Sequence, residues 1–347
     1  MRLGYAPIDH SLQAPGDRRR FVAWARARNV EFELLDEPRA DFDVIVVAMP
    51  SDLVRWRDAP AGPRIVFDVT DDYLVLPDSG FKNQARGVAK FLSGELSRPT
   101  LRFRELFADM CRRADLVVCT SEGQGRHVQE TGQENVRLII DSYDDSPAMA
   151  KTDYRRRGEP RIGWEGLPFN IGTLALVGEA ISGLPADLSP SVHVVTPPVY
   201  RPYARRFGRR SARREAQRAL PGVPVHMYDW HQAMVGGVLT SCDVAIIPLP
   251  QDNAFAMSKS AQKLVSMWSL GMPAVTTATE AYQHAMEQAR LDLTCRTSAD
   301  WRDTLERLFT DEEARRHAGT AGRAYVEAHA SREIIFSRWD EVLAAVS

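Results

Sequence analysis

Short apolar runs rich in β-branched residues alternate with amphipathic stretches along nearly the whole chain. The first half carries RLGYAP, EFELL, DVIVVAMP, RIVFDVTD, ADLVVCTS and VRLIIDS; the second carries RIGWEG, VHVVTP, VPVHMYDW, DVAIIPL, MPAVTT and LDLTCRT. Runs of this kind read as strands, and strands that alternate with helices form a parallel sheet with helices on both faces. The chain is therefore expected to fold as two α/β, Rossmann-like domains, with residues 1–150 in the first and 151–330 in the second. Between the two sets of strands, DSYDDSPAMAKTDYRRRGEP at 141–160 has no sustained periodicity and reads as an interdomain linker. From Ala299 onward the pattern is helical, with a capping-type TDEEA at 310–314 and an amphipathic finish in SREIIFSRWDEVLAAV.

Length agrees with two domains, since 347 residues exceed what one core ordinarily serves. The formal net charge of -2 implies no bulk attraction to nucleic acid or membrane. Cys111, Cys119, Cys242 and Cys295 stand far apart with no metal-type spacing, which fits a reduced, cytoplasmic setting. The N-terminus lacks the long apolar region of a signal peptide, and no run is apolar enough to predict a transmembrane helix.

One segment departs from the balanced charge. RPYARRFGRRSARREAQR at 201–218, read as a helix, gathers Arg205, Arg206, Arg209, Arg210 and Arg213 within about 140° of arc. Such a face would suit peripheral contact with an anionic membrane or an acidic carrier; the alternative is an outer helix solvated by arginine and interrupted by Gly208. Nucleic acid is disfavoured because no aromatic residues interleave with the basic ones.

The densest chemistry lies in SKSAQKLVSMWSLGMPAVTT at 258–277, after the strand-like DVAIIPL. It reads as a polar loop, a helix from about Gln262 to Leu270, a stop at Gly271 and a buried strand. Ser258, Lys259, Ser260 and Lys263 then cluster around a helix start at the mouth of a parallel sheet, where anions and phosphates bind. A solvated loop with its lysines in water is the plainer alternative.

The run from Asp243 to Val275 resembles the donor-site signature of glycosyltransferases of the GT-B fold, near the retaining family four group. Lys259 and Lys263 match the two lysines of that signature, and Gly271 and Pro273 its Gly-x-Pro. The resemblance implies two Rossmann-like domains facing across a cleft, with the final helix, 331–347, packing back on the first. It implies a nucleoside-diphosphate sugar donor, UDP or GDP, with no separate cofactor and no metal, and a glycan or lipid-linked acceptor. In that frame Ser266 falls where the family places a ribose-gripping acid or amide, and Met267 where it places an aromatic residue.

Further segments are similar to the family. RIGWEGLPFNIGTL brings Gly163, Trp164, Glu165 and Gly166 to the expected diphosphate loop, although a tight turn needs the same glycines. Asp229 and Trp230, at the end of VPVHMYDW, border the expected nucleobase position, unless the Trp simply packs. SLQAPGDRRRF at 11–21 resembles the loop that faces the donor: Gly16 permits close approach, Asp17 caps a helix, and Arg18 to Arg20 supply charge. Thr70, Asp71 and Asp72 end a strand where the family often has His-Asp, with Asp71 matching the acid and Thr70 replacing the histidine. Asp71, Asp72 and His10 are thus the candidate catalytic groups, helix capping being the alternative for the carboxylates. The basic and aromatic stretch 78–103 reads as a partly ordered acceptor wall.

Rival fingerprints fail. SEGQGRHV approaches GxGxxG, but Val128 occupies the third glycine position, and no Walker loop, GxSxG elbow or HExxH is present. Besides sugar transfer, two readings stay open: a nucleotide-sugar epimerase of the same fold, and a degenerate GT-B protein that binds nucleotide without transfer.

Overall fold

The computed structural model describes residues 1–77, 81–143, 150–201 and 208–347, with backbone alone for 81–85. Contacts divide it into two units: Met1–Ser142 with Ser258–Ser260 and Ser331–Ser347, and Tyr143–Met257 with Ala261–Ala330.

The first unit holds β1 (Leu3–Ala6), β2 (Glu33–Leu34), β3 (Val44–Ala48), β4 (Arg64–Asp68), β5 (Leu116–Cys119) and β6 (Val136–Leu138). They form one sheet in the order β2-β1-β3-β4-β5-β6, every neighbouring pair parallel. All five residues of β3 are buried, because helices cover both faces and leave no polar alternation. The final helix, Arg332–Val346, belongs to this unit, and its Ile335, Phe336, Trp339, Val342 and Leu343 join Phe21 and Trp24 in the core. Its polar face is held too. Trp24 Nε1 donates to Asp340 at 2.7 Å, and Arg28 pairs with Glu333 and Asp340 at 2.7 and 2.9 Å.

The second unit holds β7 (Arg161–Glu165), β8 (Ser191–Val195), β9 (Val199–Tyr200), β10 (Arg210–Ser211), β11 (Val225–Tyr228), β12 (Val244–Ile247), β13 (Ala274–Thr277) and β14 (Thr294–Cys295). Its main sheet is parallel in the order β11-β8-β7-β12-β13-β14, so all twelve expected strands form, six in each sheet. The short antiparallel pair of β9 and β10 has too little periodicity to be read from sequence.

The helix Gln262–Ser269 begins where expected and ends at Gly271, whose φ of +69° suits glycine as a left-handed stop. Behind it runs the helix Glu312–His329, close enough that a Cβ on Gly322 would overlap the buried Trp268 indole. Part of the expected linker is instead fastened to this unit. Lys151 Nζ donates to the carbonyls of Thr240 and Cys242 at 3.1 and 2.8 Å, and Tyr154 Oη to that of Gly271 at 2.9 Å. Residues 144–149 lie outside the described ones.

One expectation is corrected. The arginine stretch does not form a single helical face: Arg210 of β10 pairs with Tyr200 of β9, Ser211 caps the following helix by accepting from Arg214 N, and among the described residues of the stretch only Ala212–Ala219 is helical. Arg213 sits on that helix and Arg209 precedes β10, while Arg205 and Arg206 lie outside the described residues. Within the stretch 78–103, Phe81–Leu92 is a helix. Among the described residues, no helix is long and apolar enough to cross a membrane.

Candidate functional site

In the second sheet the chain moves from β7 outward to β8 on one side, then returns to β12 on the other. That reversal of strand order makes the carboxyl ends of β7 and β12 the switch point of the sheet, the usual ligand position in such folds. Glu165 ends β7, and Lys263 lies in the first turn of the helix Gln262–Ser269, which leads into β13. Lys263 Nζ donates to the Glu165 backbone carbonyl and to its carboxylate Oε2, both at 2.6 Å. The two side chains keep 35% and 20% of their surface exposed, so water or a ligand reaches both groups. One turn on, Ser266 is half-buried and its Oγ accepts from Gln262 Nε2 at 3.2 Å.

The loop residues Ser258, Lys259 and Ser260 are half-buried and group by contact with the first unit. There Lys259 Nζ donates to Asp71 Oδ1 at 2.5 Å. Asp71 and Asp72 diverge. Asp72 turns inward, 3% exposed, accepting from Leu74 N at 3.1 Å and meeting His127 Nδ1 at 2.7 Å. It caps the turn Tyr73–Val75; burial raises its carboxyl above the usual range, and the His127 contact opposes that rise. Capping therefore describes Asp72, while Asp71 faces a cation.

Several expected ligand groups prove to be parts of the framework. Asp17 does not cap the short helix Pro15–Arg18, whose cap is Ala14. Fully buried, it accepts from Tyr5 Oη at 2.6 Å and from the amides of Ile8 and Asp9 at 2.8 and 3.0 Å, fastening the loop after β1. Gly16 packs against Ile8, and Arg18 Nε donates to the Gln13 carbonyl at 3.2 Å. Arg20 turns into the core: 1% exposed, it pairs with Asp68 and with Asp141 at 2.7 Å and donates to the Ile139 carbonyl at 2.8 Å. His10 is held outside, its Nε2 2.6 Å from Asp36, with 56% of the side chain exposed.

The glycines of the expected diphosphate loop have packing reasons. A Cβ on Gly163 would lie 3.1 Å from Leu239 and 3.4 Å from Cys242, and one on Gly166 only 2.8 Å from the ring of Trp164. Trp164 itself is 4% exposed, a core residue rather than a ligand platform. Asp229, exposed, and Trp230, half-buried, follow β11, the outermost strand, two positions from β7. Sequence reasoning missed His127 and Asp68, whose partners lie 55 and 48 residues away and leave no local signal.

No protein-family model matches the chain, and no curated protein matches it by sequence. Solved structures match its fold. Anabaena HepE in complex with UDP-glucose superposes with a TM-score of 0.67 at 12% identity, covering 99% of this chain and 100% of that one. WaaG, a glycosyltransferase involved in lipopolysaccharide biosynthesis, gives 0.61 at 14% identity over 99% of each chain. A variant of S. aureus TarM, solved with UDP, fondaparinux and alpha-GlcNAc-glycerol, gives 0.57 at 10% identity. This chain spans 55% of TarM's length. The fold of the chain is GT-B.

Proposed function

We propose that this GT-B chain is a glycosyltransferase that moves a sugar from a nucleoside-diphosphate sugar to an acceptor hydroxyl. The observation that carries the reading is Lys263, placed at the strand-order reversal of the second sheet with its ammonium at the end of β7. An ammonium there neutralises the charge that grows on the diphosphate as the bond to the sugar breaks, where it stabilises the transition state more than the ground state. UDP is favoured over GDP because HepE and TarM were solved with UDP or a UDP sugar. Asp71 orients the acceptor hydroxyl, and retention of anomeric configuration is the expected outcome.

Ser266 supports a second reading, nucleotide binding without transfer. A serine hydroxyl held by Gln262 cannot offer a ribose the paired acceptors of a carboxylate. Incubating the protein with UDP- and GDP-sugar panels, with and without glycan acceptors, separates the readings. Transfer requires acceptor-dependent release of the nucleoside diphosphate; saturable binding with no release in any arm would leave the binding protein.

A further inference from the structure

We infer that Glu165 is a built-in counter-anion that occupies Lys263 when no phosphate is bound and competes with the ligand for it. The inference rests on the donor-phosphate reading above and assigns that site a device for releasing product.

The Lys263 ammonium has three donors and no acceptor, and two of the three are taken by one residue, Glu165, through its backbone carbonyl and its carboxylate. These partners differ in kind. The carbonyl fixes where the ammonium sits, because it belongs to the end of β7 and cannot swing away. The carboxylate supplies a full negative charge from a side chain that rotates. A phosphate approaching Lys263 therefore meets a cation already neutralised, with a like charge beside it. It binds well only once the Glu165 carboxylate turns aside, while the carbonyl keeps the lysine in place.

A second pair has the same form. Lys259, the other lysine of the loop and helix, is taken by the Asp71 carboxylate within the first unit. Both lysines that the sequence offers to an anion thus carry carboxylates. A purely structural ion pair gains little from partners that keep 35% and 20% of their side-chain surface in water, since solvent screens the attraction. A competing anion, by contrast, has to be reachable and displaceable. Its benefit falls on turnover: tight uniform binding of the diphosphate would slow release of the spent nucleotide, and a returning carboxylate helps expel it.

The test uses the full chain and two probes, inorganic pyrophosphate and UDP, titrated by calorimetry with release rates from stopped-flow displacement. Glu165→Gln keeps the shape and the backbone carbonyl but removes the charge. It is expected to bind pyrophosphate about tenfold more tightly than the wild type and to release it correspondingly more slowly. Glu165→Ala, checked for folding by circular dichroism, should move the same way. In the Lys263→Ala background the Glu165→Gln gain should shrink to that from lost repulsion alone, about two- to threefold. If Lys263→Ala weakens pyrophosphate but neither Glu165 variant tightens it, the counter-anion is overturned and the phosphate site stands. If Lys263→Ala leaves pyrophosphate affinity unchanged, the phosphate site itself falls, and the counter-anion with it.

Discussion

His193 gives the structure a stability signature that depends on pH. It lies on β8, 7% exposed, directly across from His226 of β11 with the rings stacked at 4.9 Å. Its Nδ1 is 2.9 Å from Tyr228 Oη, and its Nε2 is 3.3 Å from Ser191 Oγ. Burial first, and then the neighbouring His226 and Arg161, push its pKa down from 6.5 to about 4, with Glu159 opposing weakly. The folded protein therefore resists charging this ring while the unfolded chain accepts the proton. The stability this supplies is complete above about pH 6.5 and is lost as pH falls toward 4. Between pH 8 and pH 5 the loss from this one site is roughly 2 kcal/mol. His193→Gln keeps a hydrogen-bonding group and removes the titration. Because two units need not unfold together, the readout is hydrogen exchange at the amides of Val192 and Thr196, which bond to Pro224 and Tyr228 on the β11 side. After correction for intrinsic rates, the wild type should lose roughly 2 kcal/mol more opening free energy than the variant between these pH values. Equal losses, within about 0.5 kcal/mol, would refute the reasoning.

Two other outcomes follow from single contacts. Gly322→Ala drives a methyl group into the Trp268 indole, and such overpacking should lower the stability of the second unit by about 1–3 kcal/mol, read from urea unfolding of a Trp-fluorescence transition. Asp71→Asn removes the carboxylate that pairs with Lys259, with 40% and 33% of the two side chains exposed, so stability should change by less than about 1 kcal/mol. In a transfer assay the same variant should lower kcat by about 100-fold with little change in donor KM, and unchanged kcat would remove Asp71 from the chemistry.

How far the sequence reaches can be judged from particular residues. The twelve core strands were legible because β-branched runs such as Val44–Ala48 are buried on both faces, and burial writes itself directly into composition. Gly271 was legible for a local reason, its left-handed backbone at a helix end. Side-chain direction was not legible. Arg18, Arg19 and Arg20 look alike in the chain, yet Arg20 alone enters the core, because Asp68 and Asp141 arrive there from the ends of β4 and β6. Likewise Asp71 and Asp72 are adjacent and part company only because His127 waits on one side and Lys259 on the other. The arginine stretch misled because helical periodicity was assumed across a segment that the β9–β10 pairing interrupts.

The central claim is that Lys263 binds the diphosphate of a nucleotide, and calorimetric titration of UDP into the wild type and Lys263→Ala tests it most directly. A charge-assisted hydrogen bond lost from this site should weaken UDP about 10- to 100-fold, with the variant folded as judged by circular dichroism. Equal affinity in the two proteins, within about twofold, would contradict the claim.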